Sequence, residues 1–139
     1  MKHLTADVVV IGGGTAGMGA FRNARLHTEN VYLIESHVFG TTCARVGCMP
    51  SKLLIAAAEA RHHALHTDPF GVHLNKSSIS VNGEEVMSRV KSERDRFVGF
   101  VLEDVEAWPA ERRIMGQAKF IDEYTVQIDD HTQIRANAS

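Results

Sequence analysis

The sequence predicts an α/β fold in which a parallel sheet is followed by a short antiparallel β-meander. Three observations indicate it. A β-branched run at residues 7–11 is apolar on both faces, as expected of a buried parallel strand, and leads directly into a glycine-rich loop at residues 12–17. Strand-like and helical patterns then alternate along the chain, as they do in doubly wound sheets. Near the end, residues 113–135 contain several short strand-like runs separated by turn residues.

The glycine-rich loop fits the pattern G-x-G-x-x-G. In dinucleotide-binding folds the first glycine permits a tight turn, the second lets a pyrophosphate approach the backbone, and the third lets the next helix pack close to the strand. Here these glycines are Gly12, Gly14 and Gly17. We expect backbone N–H groups around Thr15 and Ala16 to face the phosphates at the positive end of that helix.

The helix after the glycines is predicted to run from residue 15 to residue 26 or 27, and a second buried strand follows at residues 31–34 and ends on Glu35. This carboxylate lies about twenty residues after the glycines, where a dinucleotide-binding fold places the acid that accepts hydrogen bonds from ribose hydroxyls. A glycine pattern alone also fits an ordinary turn. Strand, glycines, helix, strand and terminal acid in this order favour a Rossmann-like domain.

Two longer helices are predicted after this unit. The first begins near Met49 or Pro50 and extends to about His66, where a cluster of histidines is interpreted as a solvated helix end, since no clear third ligand completes a metal site. The second begins at Asn82, which with Glu85 resembles a capping box. It ends at Trp108-Pro109, and its apolar stripe consists of Val86, Val90, Phe97, Val101, Val105 and Trp108.

The final part of the chain is predicted to add one strand to the parallel sheet, at residues 113–115. The runs at 118–121, 124–128 and 132–135 then form the antiparallel meander.

The two cysteines, Cys43 and Cys48, are the centre of the functional prediction. In a regular helix, residues five apart point about 140° from each other, whereas a disulfide needs Cβ atoms about 3.8 Å apart. If the pair closes, the backbone bends there, and Gly47 and Pro50 are suited to a bend followed by a new helix. Cys48 would then lie at a helix N-terminus, where the dipole favours the thiolate. By themselves the cysteines also fit a core position or half of a metal site.

Composition excludes several classes of function. With 139 residues, 44% of them apolar and 23% charged, the chain has the size of one globular domain. A formal charge of −2 gives no reason to expect nucleic acid as a partner. No signal peptide and no run of roughly 20 apolar residues is present. These features predict a cytoplasmic protein without a membrane partner, in which a close cysteine pair is more often catalytic than structural.

The glycine loop, Glu35 and above all residues 43–52 resemble the N-terminal FAD-binding part of the class I pyridine nucleotide-disulfide oxidoreductases, close to the dihydrolipoamide dehydrogenases. The resemblance covers essentially the whole chain. Its specific part is the C-x-x-x-x-C motif followed by Met-Pro-Ser-Lys. Ser51 before Lys52 is the pattern of the lipoamide and mercuric-ion branches, whereas glutathione-type reductases usually have lysine at both positions.

The resemblance implies a role for each matching residue. Cys43 would be the interchange thiol that attacks a substrate disulfide, and Cys48 would lie against the flavin as the charge-transfer thiolate. Together they would form a redox disulfide. The cofactor-binding residues would be Lys52 at the flavin, Glu35 at the adenosine ribose, Thr42 and the glycine loop at the pyrophosphate, and the backbone near Ala118 at the adenine.

The sequence also departs from the family pattern. Thr41 stands where the family usually has a second glycine, and Arg45 stands where it usually has asparagine. An arginine at that position favours an anionic substrate or points into water. The family's NAD(P)-binding and C-terminal interface domains are missing from these 139 residues. We therefore expect an N-terminal fragment of a discontinuous FAD-binding domain, from a parent that is a homodimer acting on a small dithiol, disulfide or lipoyl group.

Two other interpretations remain open at this point. The parent could be a mercuric-ion or other disulfide reductase of the same family. The chain could also be a non-catalytic nucleotide-binding module whose cysteines are structural.

Overall fold

The computed structural model describes residues 1–137, which divide into two compact units. The first unit consists of residues 1–41 and 100–137, and the second of residues 42–99. The strands are β1 (Lys2–Ala6), β2 (Val8–Ile11), β3 (Val31–Glu35), β4 (Arg113–Met115), β5 (Ala118–Phe120), β6 (Thr125–Ile128) and β7 (Thr132–Ala136). The helices are α1 (Thr15–Ala24), α2 (Thr42–Val46), α3 (Cys48–Leu65) and α4 (Gly83–Glu106), so α4 continues from the second unit into the first.

A three-stranded parallel sheet in the order β2-β3-β4 forms the centre of the first unit. Alternate residues of β3 face opposite sides of it, as the period of two in a strand requires. Val31 and Leu33 pack with Phe21 of α1, and all three are fully buried. Tyr32 and Ile34 pack against the second sheet. The predicted α/β architecture and the parallel arrangement are confirmed.

The second sheet has the order β1-β7-β6-β5. Strands β5, β6 and β7 pair antiparallel, which confirms the meander. Strand β1 was not predicted, and it pairs parallel with β7. In its sequence KHLTA only Leu4 and Ala6 pack toward the core, and two alternating apolar residues are too few to identify a strand. Strand β1 forms by pairing with β7, which lies 130 residues later in the chain, and Lys2 is opposite Thr132.

The prediction of a strand buried on both faces at residues 7–11 was wrong in two respects. The strand begins at Val8, and Val8 and Ile11 remain 36% and 47% exposed. Strand β2 is the edge of its sheet, so neighbours cover it from one side only. Helix α1 also ends earlier than predicted, at Ala24, and residues 25–28 continue as turns.

The predicted long helices are confirmed within about two residues at each end. Helix α3 begins at Cys48, one residue before the earliest start that was predicted. The N-terminus of α4 is capped by Asn82, whose side-chain oxygen accepts hydrogen bonds from the N–H groups of Glu84 and Glu85 at 3.0 and 3.3 Å. Within the apolar stripe of α4, Val90 and Val105 are buried. Within residues 1–137 there is no helix with the length and apolarity that crossing a bilayer requires.

Candidate functional site

The glycine-rich loop connects β2 to α1 at the end of the parallel sheet. Gly12 adopts a φ of +98°, a conformation that side chains disfavour, and its N–H donates to the carbonyl of Ile34 at 2.8 Å. A Cβ atom added to Gly17 would overlap the carbonyl oxygen of Gly12 and lie 2.9 Å from its carbonyl carbon. The third glycine is therefore required by close helix–strand packing, as the motif predicts.

The start of α1 fits an anionic group. Gly14 is its N-cap and has no side chain with which to cap the first N–H groups, and the first turn contains no acidic residue. A Cβ added to Gly14 would meet nothing within 4 Å, so the backbone is open on that side. Thr15 and Ala16 follow as the first two residues of the helix, and both are exposed. An open backbone at the positive end of a ten-residue helix is the arrangement that a pyrophosphate needs.

Glu35 reaches back from the end of β3 to the glycine loop. One carboxylate oxygen accepts a hydrogen bond from the Gly13 N–H at 2.7 Å, and the other accepts from the His37 N–H at 3.0 Å. Burial by itself would raise the pKa of this carboxyl. Backbone N–H groups of His37, Gly13 and Ser36 outweigh that effect and hold the pKa below its usual value. The carboxylate is thus charged, oriented and adjacent to the loop.

Gly13 is a residue of this site whose role was not predicted. Besides donating to Glu35, it lies so close to Phe39 that an added Cβ would be 2.5 Å from the aromatic ring. This position is variable in the motif, so only the three-dimensional structure shows that a glycine is needed there. Ala118 begins β5, where it is half-buried and packs against the core of the second sheet.

The cysteine segment forms a sharp bend between two helices. Cys43 is the second residue of α2, a single helical turn that was not predicted, and Cys48 is the first residue of α3. Gly47 joins the two helices, and a Cβ there would lie 3.1 Å from the carbonyl oxygen of Thr42. The expectation that the backbone bends at Gly47 and that Cys48 opens a helix is confirmed. Thr42 itself is exposed at the start of α2.

Both cysteines are free thiols in this structure, and they share a hydrogen bond. That bond, which the Cys43 thiol donates, lowers the pKa of Cys48, and the Cys48 N–H and the ammonium charge of Lys52 add to the effect. The same bond raises the pKa of Cys43, chiefly because the donated proton is held between the sulfurs. Of the two thiols, Cys48 therefore loses its proton first, and it is the more exposed residue.

Replacing Cys43 with alanine is expected to raise the pKa of Cys48 toward that of an ordinary cysteine, because the variant removes the donor to its thiolate. The pH midpoint of alkylation by iodoacetamide should move upward, and alkylation below that midpoint should slow. The matched variant Cys43→Ser also leaves Cys48 as the single thiol of this chain but keeps a donor. Equal midpoints in the two variants would contradict the assignment of the hydrogen bond.

The loop before the cysteines has an unusual backbone. Gly40 has a φ of +121°, and Thr41 follows with a φ of +62°. A β-branched residue in the left-handed region costs about 1–3 kcal/mol, whereas glycine adopts it freely. Thr41 therefore adopts a backbone conformation that a glycine would favour.

Replacing Thr41 with glycine should stabilise the chain by about 1 kcal/mol, since relief of the strained φ outweighs the greater freedom of glycine in the unfolded state. Thermal or urea unfolding measures the change. Thr42→Gly is the matched control, because Thr42 is helical and glycine there should destabilise the chain. A loss of stability in both variants would show that the positive φ of Thr41 carries no cost.

The predicted site residues thus form two groups, one in each unit. In the first unit, the glycine loop and Glu35 are joined by the Gly13–Glu35 hydrogen bond. In the second unit, the charge of Lys52 adds to the lowering of the Cys48 pKa and partly offsets the raised pKa of Cys43. The histidines at the end of α3 are exposed, and His62 and His66 stack with ring centroids 4.1 Å apart. Among residues 1–137, no group of three or more His, Cys, Asp or Glu residues could hold a metal ion.

Known proteins are similar to this chain in sequence and in fold. A family model described as "Pyridine nucleotide-disulphide oxidoreductase" matches residues 6–136. Dihydrolipoyl dehydrogenase from Mycoplasma pneumoniae (strain ATCC 29342 / M129 / Subtype 1) is 29% identical over 126 residues, which are 91% of this chain and 27% of that protein. Mercuric reductase from Bacillus cereus is 29% identical over 133 residues, covering 88% of this chain and 19% of that protein.

A solved structure resembles the fold as well. The HOCl-induced flavoprotein disulfide reductase RclA from Escherichia coli matches with a TM-score of 0.66 at 22% sequence identity. The match covers 94% of this chain and 26% of that one. The chain thus spans about a quarter of the length of the proteins that it resembles, in both sequence and structure.

Proposed function

Because the chain belongs to the pyridine nucleotide-disulphide oxidoreductase family, we propose that it is the N-terminal portion of a discontinuous FAD-binding domain in a dithiol/disulfide oxidoreductase. The observation that carries the proposal is the placement of Cys43 and Cys48 on either side of the bend between α2 and α3, where the Cys43 thiol lowers the pKa of Cys48. A thiol whose pKa is lowered beside a second thiol is the arrangement that disulfide exchange requires.

The residues of the chain fit FAD. The open backbone at Gly14 and the N-terminus of α1 would hold the pyrophosphate, with Thr42 contributing, and the Glu35 carboxylate would accept hydrogen bonds from the ribose. The backbone near Ala118 would meet the adenine, and Lys52 would approach the flavin. FAD supplies hydride and electron-transfer chemistry when bound, and NAD(P) would bind through a domain outside these residues.

The two cysteines have distinct chemical tasks in this proposal. The Cys43 sulfur, after losing its proton, attacks one sulfur of a substrate disulfide and forms a mixed disulfide, while the other substrate sulfur leaves as a thiolate. The Cys48 thiolate then attacks Cys43 Sγ and releases the second substrate thiolate. The result is a Cys43–Cys48 disulfide and a substrate reduced by two electrons. With a dithiol substrate the same steps run in reverse.

A substrate of the lipoyl class is the first candidate, in line with the dihydrolipoyl dehydrogenase relatives. Ser51 is common to the lipoamide and mercuric-ion branches, and in this chain its hydroxyl donates to the Cys48 carbonyl at 3.0 Å. The mercuric reductase is as similar as the dehydrogenase, at 29% identity, so a mercuric-ion or other disulfide reductase is the second candidate. Turnover with dihydrolipoamide, glutathione disulfide and mercuric ion, each with both nucleotides, separates them.

The proposal extends to the parent protein as a cytoplasmic homodimer that binds neither nucleic acid nor membrane. A non-catalytic nucleotide-binding module with structural cysteines is the contrasting alternative. The oxidoreductase and the binding module differ in whether the thiols exchange electrons with a bound flavin.

The deciding experiment is the visible absorption spectrum of the protein expressed from its complete reading frame, recorded without oxygen before and after addition of a small excess of dithiol. A flavin spectrum that gains a long-wavelength charge-transfer band is the expected result. Bound flavin without that band would mean that the cysteines are not its redox partner. If the purified protein contained no flavin, the non-catalytic binding module would be the favoured interpretation.

A further inference from the structure

A cavity of about 250 Å³ lies beside the helix that carries Cys43, within the second unit. One wall comes from α2 and the other from the middle of α4. The lining residues are Arg45, Val46, Arg94, Asp95 and Val98.

The two arginines of this cavity differ in their partners. Arg94 donates to one carboxylate oxygen of Asp95 from Nε at 2.8 Å and from Nη2 at 2.7 Å, so its charge is matched. Arg45 is half-buried, and no hydrogen bond or ion pair joins its guanidinium to another group within residues 1–137. The cavity therefore carries one unmatched positive charge. A guanidinium pairs best with a planar carboxylate, to which it can donate two parallel hydrogen bonds.

The position of Arg45 relates this charge to the reactive thiol. Arg45 follows Cys43 by two residues on α2, so their Cα atoms are at most about 7 Å apart. In a helix, residues two apart point roughly 200° from each other. A substrate that contacts both therefore needs its anionic group on a flexible arm several bonds away from its sulfur.

We propose that Arg45, together with Arg94, forms a subsite for a carboxylate carried on a flexible arm of the disulfide substrate. This inference rests on the proposed function, and it narrows the substrate to acids rather than neutral amides. The covalent step is the attack of the Cys43 sulfur on the substrate disulfide, which forms a mixed disulfide and releases one substrate thiolate. Arg45 acts as a specificity-determining residue that holds the carboxylate during that step.

The test uses the protein expressed from its complete reading frame with Cys48→Ser, so that attack by Cys43 stops at the mixed disulfide. Rate constants are measured by mass spectrometry of the Cys43 peptide with dithiodipropionate, the neutral bis(hydroxyethyl) disulfide and the cationic cystamine. The reported quantity is the rate constant with dithiodipropionate divided by the rate constant with bis(hydroxyethyl) disulfide. A change in the Cys43 pKa affects both rate constants equally, so it cancels in this ratio. No flavin or nucleotide takes part, so the outcome is independent of whether the proposed function holds.

Added to this background, Arg45→Gln should lower that ratio by about threefold, and the cystamine rate should rise relative to the neutral one. Arg94→Gln should lower the ratio as well, whereas Asp95→Asn should raise it because it releases the Arg94 charge. Arg61→Gln is the matched control, since Arg61 is exposed on α3 about 20 Å along the helix from Cys48, beyond the screening length of about 8 Å. An unchanged ratio in Arg45→Gln, or an equal fall in Arg61→Gln, would overturn the subsite.

Discussion

Replacing Cys48 with serine should reduce disulfide-dependent turnover of the complete protein by at least about 10³-fold while leaving flavin binding intact. The size of the effect follows from the chemistry. Without the Cys48 sulfur, the mixed disulfide on Cys43 has no neighbouring thiolate to resolve it, and no electron pair can pass onward. Steady-state turnover measures the loss, and the flavin absorbance of the purified variant measures retention of the cofactor.

Two controls make this prediction specific. Reduction of an artificial electron acceptor by the nicotinamide nucleotide needs the flavin but no thiol, and it should survive in Cys48→Ser. Ser88→Ala, an exposed change on α4, should leave both activities at the level of the wild type. Normal disulfide turnover in Cys48→Ser would remove the thiol pair from the mechanism.

Replacing Gly17 with alanine should destabilise the chain by about 3 kcal/mol or more, since the added Cβ would overlap the backbone carbonyl of Gly12. A flexible side chain could move aside, but the Gly12 carbonyl belongs to a loop fixed by the Gly12–Ile34 hydrogen bond. The helix must therefore shift away from β2, and binding of the pyrophosphate should weaken with it. The unfolding midpoint in urea or on heating reports the destabilisation.

Gly19→Ala is the matched control for this prediction. It adds the same methyl group to the same helix two residues later, where nothing lies within 4 Å of the new atom. Alanine favours a helix over glycine by about 1 kcal/mol, so this variant should be unchanged or more stable. If Gly17→Ala and Gly19→Ala destabilised the chain equally, the cause would be an added methyl group anywhere in this helix, and not the close approach of residue 17 to Gly12.

Local sequence patterns accounted for much of the fold. Residues 31–34 predict a strand because they are apolar, β-branched or aromatic, and the structure has β3 at Val31–Glu35. The glycine spacing predicted the tight turn at Gly12 and the close packing at Gly17, and the structure has both. These features are encoded by residues near one another in the chain, so a periodic pattern or a fixed spacing is sufficient to reveal them.

The remainder depended on contacts between distant residues. Strand β1 exists because β7 pairs with it, and the exposure of Val8 and Ile11 follows from the edge position of β2. The single turn of α2 is too short to produce a helical period. Interactions that join residues far apart in sequence leave no local pattern, and this explains why β1 and the exposure of β2 were not predicted.

The same division holds for the candidate site. The sequence by itself determined the cysteine spacing, the position of Cys48 within one residue of a helix start, and the acid at the end of β3. Only the tertiary structure decided that Glu35 turns back to Gly13 and that Arg45 shares a cavity with Arg94. Motif spacing fixes which chemical groups are available, whereas the direction of a charge and its partner depend on the packing of elements far apart in the chain.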